Sequence, residues 1–161
     1  MINIKIICVG KMKEKSMIDT LSEYEKKLSK FAKLDIIELP DEKIPDTNSK
    51  NDELKVIDKE CEKTLNELNK INQKTVFLCD LKGKEYSSVE FSNLIENSFL
   101  TSSTLVFLIG GSLGLNDTLR TISNYNICFS KMTFPHQLFR IFLVEQIYRS
   151  FKIINNETYH K

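Results

Sequence analysis

Short apolar segments alternate with longer amphipathic segments along almost the whole chain. The apolar segments have the length of buried β-strands and cover residues 2–9, 34–39, 75–79, 104–109 and 126–130. Elsewhere apolar residues recur at spacings of three and four, which predicts helices near residues 13–31, 54–71, 87–99, 116–122 and 135–154. This alternation predicts an α/β fold in one domain, residues 1–161, with a mostly parallel sheet of five to six strands and helices on both faces.

The connecting segments contain residues that start or interrupt regular structure. Ser87 and Glu90 have the spacing of a capping box, and Pro135 suits the first turn of a helix. The polar segment 40–50 contains two prolines and is predicted to be an exposed loop. Residues 80–83, with the sequence DLKG, are predicted to form a turn.

The last helix is apolar on more than one face. One stripe consists of Phe139, Leu143, Ile147 and Ile154, and a second consists of Leu138, Ile141, Phe142 and Tyr148. A surface helix needs only one apolar stripe, so the second stripe indicates a second burial surface. A second copy of the chain is the favoured occupant, and a helix sunk in the core of the monomer is the alternative.

Charge and hydropathy exclude several classes of protein. The chain has 23 basic and 22 acidic residues, so a polyanionic partner must be met by a local patch rather than by the global field. No apolar run reaches membrane-spanning length, and the N-terminal segment lacks the pattern of a signal peptide. We therefore expect a cytoplasmic protein with no membrane partner.

The four cysteines do not form a CxxC motif, and three of them fall in predicted strands. They are expected to be reduced, buried thiols. Because the sequence has only two histidines, a zinc or iron site is not expected.

Two strands end in unusual loops within about twenty residues of each other. Residues 104–109 run into a glycine-rich loop, 110–114, and residues 126–130 run into Lys131–Pro135. In open α/β sheets, ligands bind outside the carboxyl ends of the strands. The sequence therefore predicts a small-molecule site at this edge.

The glycine-rich loop GGSLG also matches the nucleophile elbow of α/β-hydrolases. Ser112 is followed by Glu145 and His160 in the chain order of that triad. The chain is short for that fold, however, and Glu145 lies in an apolar helix, which suits the orientation of a histidine poorly. A turn that lets backbone approach a ligand is favoured over a nucleophile.

Basic residues and the C-terminal tail offer further candidate chemistry. The basic residues of the last third are either solvated or form a phosphate-binding patch, and they are Lys131, Arg140, Arg149, Lys152 and Lys161. His136 lies in the first turn of the last helix and is either a surface residue or functional. The tail ends in Tyr159-His160-Lys161 and is either frayed or suited to stack on a base and accept a proton.

Several segments together resemble a known family. IGGSLGL, SNYNICFSKMTFPHQLFRIFLVEQIYRSFKI and the terminal YHK closely resemble the bacterial 23S rRNA (pseudouridine-N3) methyltransferases of the SPOUT class, as do IICVGKMKEK and ELPDEK. The resemblance covers the whole chain and implies an α/β-knot fold, with a deep trefoil knot at the C-terminus, and a homodimer. It also implies a methyltransferase that uses S-adenosylmethionine and acts on helix 69 of 23S rRNA in assembled ribosomes, with no metal.

The resemblance also implies the site residues. The methyl donor would be held by Leu78, Gly110, Phe129, Ser130, Lys131, Met132, Thr133 and Phe134. The partner's tail would complete the site, with His160 as general base or proton relay and Tyr159 positioning the base. Arg140 would contact phosphate or stabilise the imide anion, and His136 is the second candidate for the base. A non-catalytic RNA-binding or assembly factor on the same scaffold is the remaining alternative, although it leaves the two loops unexplained.

Overall fold

A computed structural model describes residues 1–46 and 49–161 of the chain. Its strands are β1 (Ile2–Val9), β2 (Ala32–Leu39), β3 (Lys74–Glu85), β4 (Thr104–Ile109) and β5 (Tyr125–Cys128). Over the described residues they form one five-stranded sheet in the order β2-β1-β4-β3-β5, and every neighbouring pair is parallel. The parallel α/β sheet predicted from the hydrophobic pattern is confirmed.

The helices cover both faces of the sheet, as predicted. They are α1 (Lys15–Leu28), α2 (Lys50–Leu68), α3 (Ser88–Phe99), α4 (Asp117–Ile122) and α5 (His136–Ile154). One core cluster joins α1, α3 and α5 to one face, and a second cluster joins α2 and α4 to the other. The central strand β4 is buried at all six positions because it is covered on both faces, which explains its continuous apolar run.

Strand β3 is longer than its apolar run predicted and continues through the segment expected to be a turn. Cys79 and Lys84 both pair with Ile127 of β5, so the intervening residues form a bulge. Within the bulge, Asp80 Oδ1 accepts a hydrogen bond from the Lys82 backbone N–H at 3.1 Å. The turn residues therefore bend the strand outward instead of ending it, and pairing resumes beyond them.

Helix α5 packs between α1 and α3. Phe151 on α5 stacks on Phe31 at 5.6 Å and on Phe99 at 5.5 Å between ring centroids. One chain thus already buries most of the apolar positions of α5, which agrees with the monomer-core alternative. Phe142 remains 38% exposed.

The loop predicted over residues 40–50 ends where Ser49 caps α2 by accepting a hydrogen bond from the Asp52 N–H at 3.2 Å. Residues 47 and 48 of this prediction lie outside the described part of the chain. The C-terminal trefoil knot stays a prediction. Over residues 1–46 and 49–161, no helix combines the length and apolar character needed to cross a membrane.

Candidate active site

A cavity of about 410 Å³ lies beside the bulge of β3 and the carboxyl ends of β4 and β5. Its volume falls within the range of about 300–1,000 Å³ that is usual for small-ligand sites. Three segments form its walls, residues 79–82 of the β3 bulge, residues 109–115, and residues 127–130 with 132–134, and Arg120, His136 and Phe139 complete them. The small-molecule site expected from the two unusual loops is thus an open cavity in which the bulge of β3 also takes part.

Most of the residues assigned to donor binding line this cavity, namely Gly110, Phe129, Ser130, Met132, Thr133 and Phe134. Leu78 does not, because its side chain is fully buried in the core beneath α2 and α4. Its neighbour Cys79 lines the cavity instead. Lys131 is exposed and lies outside the lining.

The glycine-rich loop is a tight turn. The Gly114 N–H donates to the Gly111 carbonyl at 3.1 Å, and Gly114 has a φ of +104°, which favours glycine. A Cβ on Gly111 would lie 2.8 Å from Glu60 Oε1, so this glycine admits a close approach of α2. The packing accounts for the glycines without any nucleophilic role for Ser112.

An ion pair that sequence reasoning missed lines the same cavity. Arg120 on α4 donates from Nε to Asp80 Oδ2 at 2.7 Å and from Nη2 to Asp80 Oδ1 at 3.4 Å. The Asp80 carboxylate, with Asp117 beside it, raises the pKa of Arg120. One sequence feature could have indicated Asp80 as a site residue. It is the first charged residue after an apolar run, at the edge of the sheet where ligands bind.

His136, which lines the cavity, and Asp41 both lie close to Gly10. A Cβ on Gly10 would lie 3.1 Å from Asp41 Oδ1 and 3.4 Å from His136 Nε2. His136 is held there by the first turn of α5, and Gly10 follows β1 with a φ of +98°. An imidazole therefore lies at the cavity within a single chain.

Arg140 is enclosed in the protein, with 1% of its surface exposed. Its Nη1 donates to Glu38 Oε2 at 2.7 Å, and its Nη2 donates to the Gly10 carbonyl at 3.1 Å. Glu38 Oε2 also accepts from the Met12 N–H at 2.7 Å. In place of the predicted contact with phosphate or with an imide anion, the guanidinium ties α5 to the ends of β1 and β2, one turn beyond His136.

A second cavity, of about 330 Å³, adjoins the first across the β5–α5 loop. The two share Ile127, Cys128, Phe129, Ser130 and Phe134. Its far wall comes from the start of α3 and from α5, including the half-exposed Phe142. The β5–α5 loop therefore contributes to both cavities.

The C-terminal tail packs on α5 of its own chain. Tyr159 Oη donates to Glu145 Oε1 at 3.1 Å, and Arg149 Nη1 lies 3.3 Å from His160 Nδ1. No residue of 155–161 lines either of the two cavities. The structure thus brings Tyr159 and His160 together, and places both apart from Arg140 and His136.

This arrangement does not assemble the triad of a serine hydrolase. In the described residues, Glu145 accepts hydrogen bonds from Gln146, Arg149 and Tyr159, and not from His160. Ser112 lines the first cavity, which neither Glu145 nor His160 reaches. A triad requires the acid to orient the histidine and the histidine to reach the serine.

The cysteines are free thiols. Burial raises the pKa of Cys8 to about 11 and also raises the pKa of Cys79 beside the cavity, so both are thiols at neutral pH. In the part of the chain that the structure describes, no three His, Cys, Asp or Glu side chains are grouped to hold a metal ion.

Comparisons with known proteins identify the family of this chain. The family described as "Predicted SPOUT methyltransferase" matches residues 2–160. The chain is 54% identical over 160 residues to "Ribosomal RNA large subunit methyltransferase H" of Clostridium botulinum (strain Alaska E43), covering 99% of each chain. It is 49% identical, with the same coverage, to "Ribosomal RNA large subunit methyltransferase H 1" of Clostridium perfringens (strain SM101).

Among solved structures, the SpoU methyltransferase AviRb from Streptomyces viridochromogenes, in complex with the cofactor AdoMet, is a distant neighbour. The match has a TM-score of 0.45 and 11% identity, and it covers 96% of this chain and 61% of that one, a similarity too weak to bear on the site. The full-length family match and the two close relatives are decisive. This chain belongs to the SPOUT methyltransferase family.

Proposed function

We propose that this protein transfers a methyl group from S-adenosylmethionine to N3 of a pseudouridine in helix 69 of 23S rRNA, and that its substrate is the assembled ribosome. The observation that carries the proposal is the cavity beside the β3 bulge and the carboxyl ends of β4 and β5 in a member of this family. The names of the close relatives support ribosomal RNA as the substrate class.

The lining of the larger cavity fits the methyl donor. Adenine requires apolar walls and backbone hydrogen-bonding groups, and the walls are strand-end backbone together with Ile109, Leu115, Phe129 and Phe134. Gly110 and Gly111 let Leu115 and Glu60 pack closely against this wall. S-adenosylmethionine supplies a methyl group already bonded to a cationic sulfur, so the transfer uses no metal.

The acceptor nitrogen must lose a proton before it attacks the methyl group. Pseudouridine N3–H is a weakly acidic imide proton, and a positioned histidine is a suitable acceptor for it. His136 lies at the cavity in the same chain, and His160 lies on the tail with Tyr159 beside it to position the base. Arg140 acts indirectly, by holding the first turn of α5 and hence His136 against Gly10.

The active form is a homodimer in this proposal. Tyr159 and His160 lie outside both cavities of their own chain, so they reach a donor site only in another copy. The pair formed by Phe134 and Phe142, with ring centroids 5.6 Å apart, leaves an apolar face on α5 beside the second cavity. This face supports α5 as part of the contact between the two copies.

The substrate and the location in the cell follow from the same proposal. A net charge of +1 gives little long-range attraction to free RNA, so shape and local contacts must select the target. An assembled ribosome offers such a shaped surface. The proposed location is the cytoplasm, where ribosomes are found.

The experiment is transfer of radiolabelled methyl from S-adenosylmethionine to assembled ribosomes, with deproteinised rRNA in parallel. We expect label in helix 69 of the ribosomes, at N3 of a pseudouridine, and little or none in free rRNA. Label at another nucleotide, or stronger labelling of free rRNA, would contradict the assigned target.

Binding of S-adenosylmethionine distinguishes the proposed enzyme from a non-catalytic assembly factor. A ligand that binds only the folded protein raises its melting temperature by mass action, so S-adenosylmethionine at 100 times its Kd should stabilise the protein by about 2.7 kcal/mol. An assembly factor would bind ribosomes with no such shift and no transfer.

A further inference from the structure

The C-terminal tail is ordered by a defined reversal of the chain at the end of α5. Asn156 takes a φ of +53°, and the Glu157 N–H donates to the Lys152 carbonyl at 2.9 Å. The Lys152 ammonium pairs with the Glu157 carboxylate. The tail therefore turns back along α5 instead of fraying, and this brings Tyr159 and His160 beside the third turn of the helix.

Glu145 is the anchor for this returning tail. Its side chain is 15% exposed, and its Oε1 accepts hydrogen bonds from Arg149 Nη2 at 2.7 Å, Arg149 Nε at 3.1 Å and Tyr159 Oη at 3.1 Å. Its Oε2 accepts from Gln146 Nε2 at 2.9 Å. Four donors on one largely buried carboxylate hold the Arg149 fork and the Tyr159 ring in a single arrangement.

The Tyr159 ring is clamped between two groups of α5. It packs edge-to-face on Tyr148 at 5.1 Å, and the Arg149 guanidinium lies 4.8 Å from its centroid. Burial, together with the hydrogen bond to Glu145, raises the pKa of Tyr159 to about 12. The phenol therefore stays protonated at neutral pH and keeps its bond to Glu145.

The contact with Arg149 favours one tautomer of His160. Arg149 Nη1 lies 3.3 Å from His160 Nδ1, and a guanidinium is only a donor, so a hydrogen bond between them requires Nδ1 to be the acceptor. An imidazole whose Nδ1 accepts a hydrogen bond is neutral and carries its single proton on Nε2. The free end of His160 is then an N–H group, which donates and does not accept.

We propose that Glu145 and Arg149 are positioning residues for the tail, and that they present His160 as an Nε2–H donor to a carbonyl oxygen of the target base and not as its general base. The inference rests on the proposed function and deepens it, because it assigns the two histidines to different tasks. The proton acceptor is then sought elsewhere at the site, and His136 at the donor cavity is the remaining histidine.

The chemical step balances with this assignment. The N3–H bond breaks and its proton goes to the acceptor at the cavity. The N3 electron pair forms the new N–CH₃ bond as the S–CH₃ bond breaks, and the electron pair of that bond stays on sulfur. Negative charge developing on N3 is shared with the adjacent carbonyl oxygens, where a donated Nε2–H bond stabilises it.

The test compares His160→Gln with His160→Ala in single-turnover methylation of assembled ribosomes. Glutamine keeps an N–H donor but has no basic nitrogen, so His160→Gln should stay within about tenfold of the unchanged protein. His160→Ala removes the donor and should fall by about 10²-fold or more, the usual cost of losing one oxyanion donor. Equal losses in the two variants, or full activity of His160→Ala, would overturn the assignment.

The positioning role is tested with Glu145→Gln. Its single-turnover rate should fall by about tenfold while the melting-temperature shift caused by S-adenosylmethionine is unchanged, because the anchor acts on the tail and not on the donor cavity. Glu67→Gln is the matched control, since Glu67 lies near the end of α2, on the opposite face of the sheet from α5, pairs with Lys70 just beyond that helix, and should leave the rate unchanged. A Glu145→Gln rate equal to that of the control would refute the role.

Two further measurements keep the test decisive. If Glu145→Gln fails to fold, Arg149→Lys replaces it, because lysine keeps the charge but cannot bridge Glu145 and His160 at once.

The unchanged protein is assayed first. If it transferred no methyl group to ribosomes, the proposed function would fail and this inference with it. If it does transfer the group, the two His160 variants judge the inference alone.

Discussion

Arg140 and Glu38 lie 102 positions apart in the sequence and form an ion pair of 2.7 Å, in which Arg140 is buried and Glu38 is partly exposed. The pair joins α5 to the end of β2, and the same guanidinium reaches the Gly10 carbonyl at the end of β1. Because His136 lies one turn before Arg140 and faces Gly10, the pair sets the position of an imidazole at the donor cavity. Stability and site geometry are thus linked at one residue.

Replacement of Arg140 by methionine should destabilise the protein. The change leaves the Glu38 carboxylate and the Gly10 carbonyl without this donor, and breaking a buried pair typically costs about 3–5 kcal/mol. Since Glu38 is one-third exposed, we expect about 2–3 kcal/mol in denaturant unfolding. Lys5→Met, which removes a solvent-exposed pair with Asp35, is the control and should cost under about 1 kcal/mol.

The same pair should contribute a defined dependence of stability on pH. Burial acts to raise the pKa of Glu38, but the hydrogen bonds from Met12 and Arg140 prevail and hold it below the ordinary 4.5. A lowered folded-state pKa contributes stability that is present above pH 4.5 and is lost as the pH falls through the folded value. Melting temperatures between pH 3 and 7 should show this loss, and Glu38→Gln should reduce it. An unchanged profile in Glu38→Gln would contradict the assignment.

Glu60 should contribute a dependence of stability on pH that is opposite in sign to that of Glu38. Burial, with help from the nearby charges of Asp41 and Glu42, raises its pKa above 4.5, so ionised Glu60 weakens the fold. Its stabilising contribution is complete below pH 4.5 and is lost as the pH rises through the folded value. Glu60→Gln should therefore melt at a higher temperature than the unchanged protein at pH 8 and at a similar temperature at pH 4. If Glu60→Gln were less stable than the unchanged protein at pH 8, the charge of Glu60 would instead stabilise the fold.

Gly83→Ala should separate β3 from β5. A Cβ at this position would lie 2.7 Å from the backbone of Asn126 and Ile127, and backbone cannot move aside as a flexible side chain does. We expect a loss of about 1–3 kcal/mol and weaker stabilisation by S-adenosylmethionine, because β5 leads directly into a wall of the cavity.

Gly114→Ala is the comparison for Gly83→Ala. Its Cβ would meet nothing within 4 Å, so its cost comes only from the positive φ and should be about 1–2 kcal/mol. Equal donor-induced shifts in Gly83→Ala and in the unchanged protein would contradict the link between strand pairing and the cavity.

Local patterns in the sequence specified the elements and their order. Apolar runs and the period of 3.6 residues predicted each strand and helix of the described residues to within about four residues, except that β3 extends six residues beyond its predicted end. The capping box of α3 was also predicted from local spacing, and Ser87 and Glu90 form both of its hydrogen bonds. These features depend on neighbours within about four positions, so a local pattern is enough to specify them.

Contacts between residues that are distant in the sequence could not be predicted from it. Order in the chain does not specify that β3 lies between β4 and β5, so neither the Asp80–Arg120 pair nor the pairing of both Cys79 and Lys84 with Ile127 was visible in the sequence. The family resemblance assigned Arg140 to the substrate, and no local pattern showed that its partner Glu38 lies on β2. The tail was expected either to fray or to stack on a base and accept a proton, and the Glu145 carboxylate holds it on α5. Such contacts arise from packing in three dimensions, and no local periodicity encodes them.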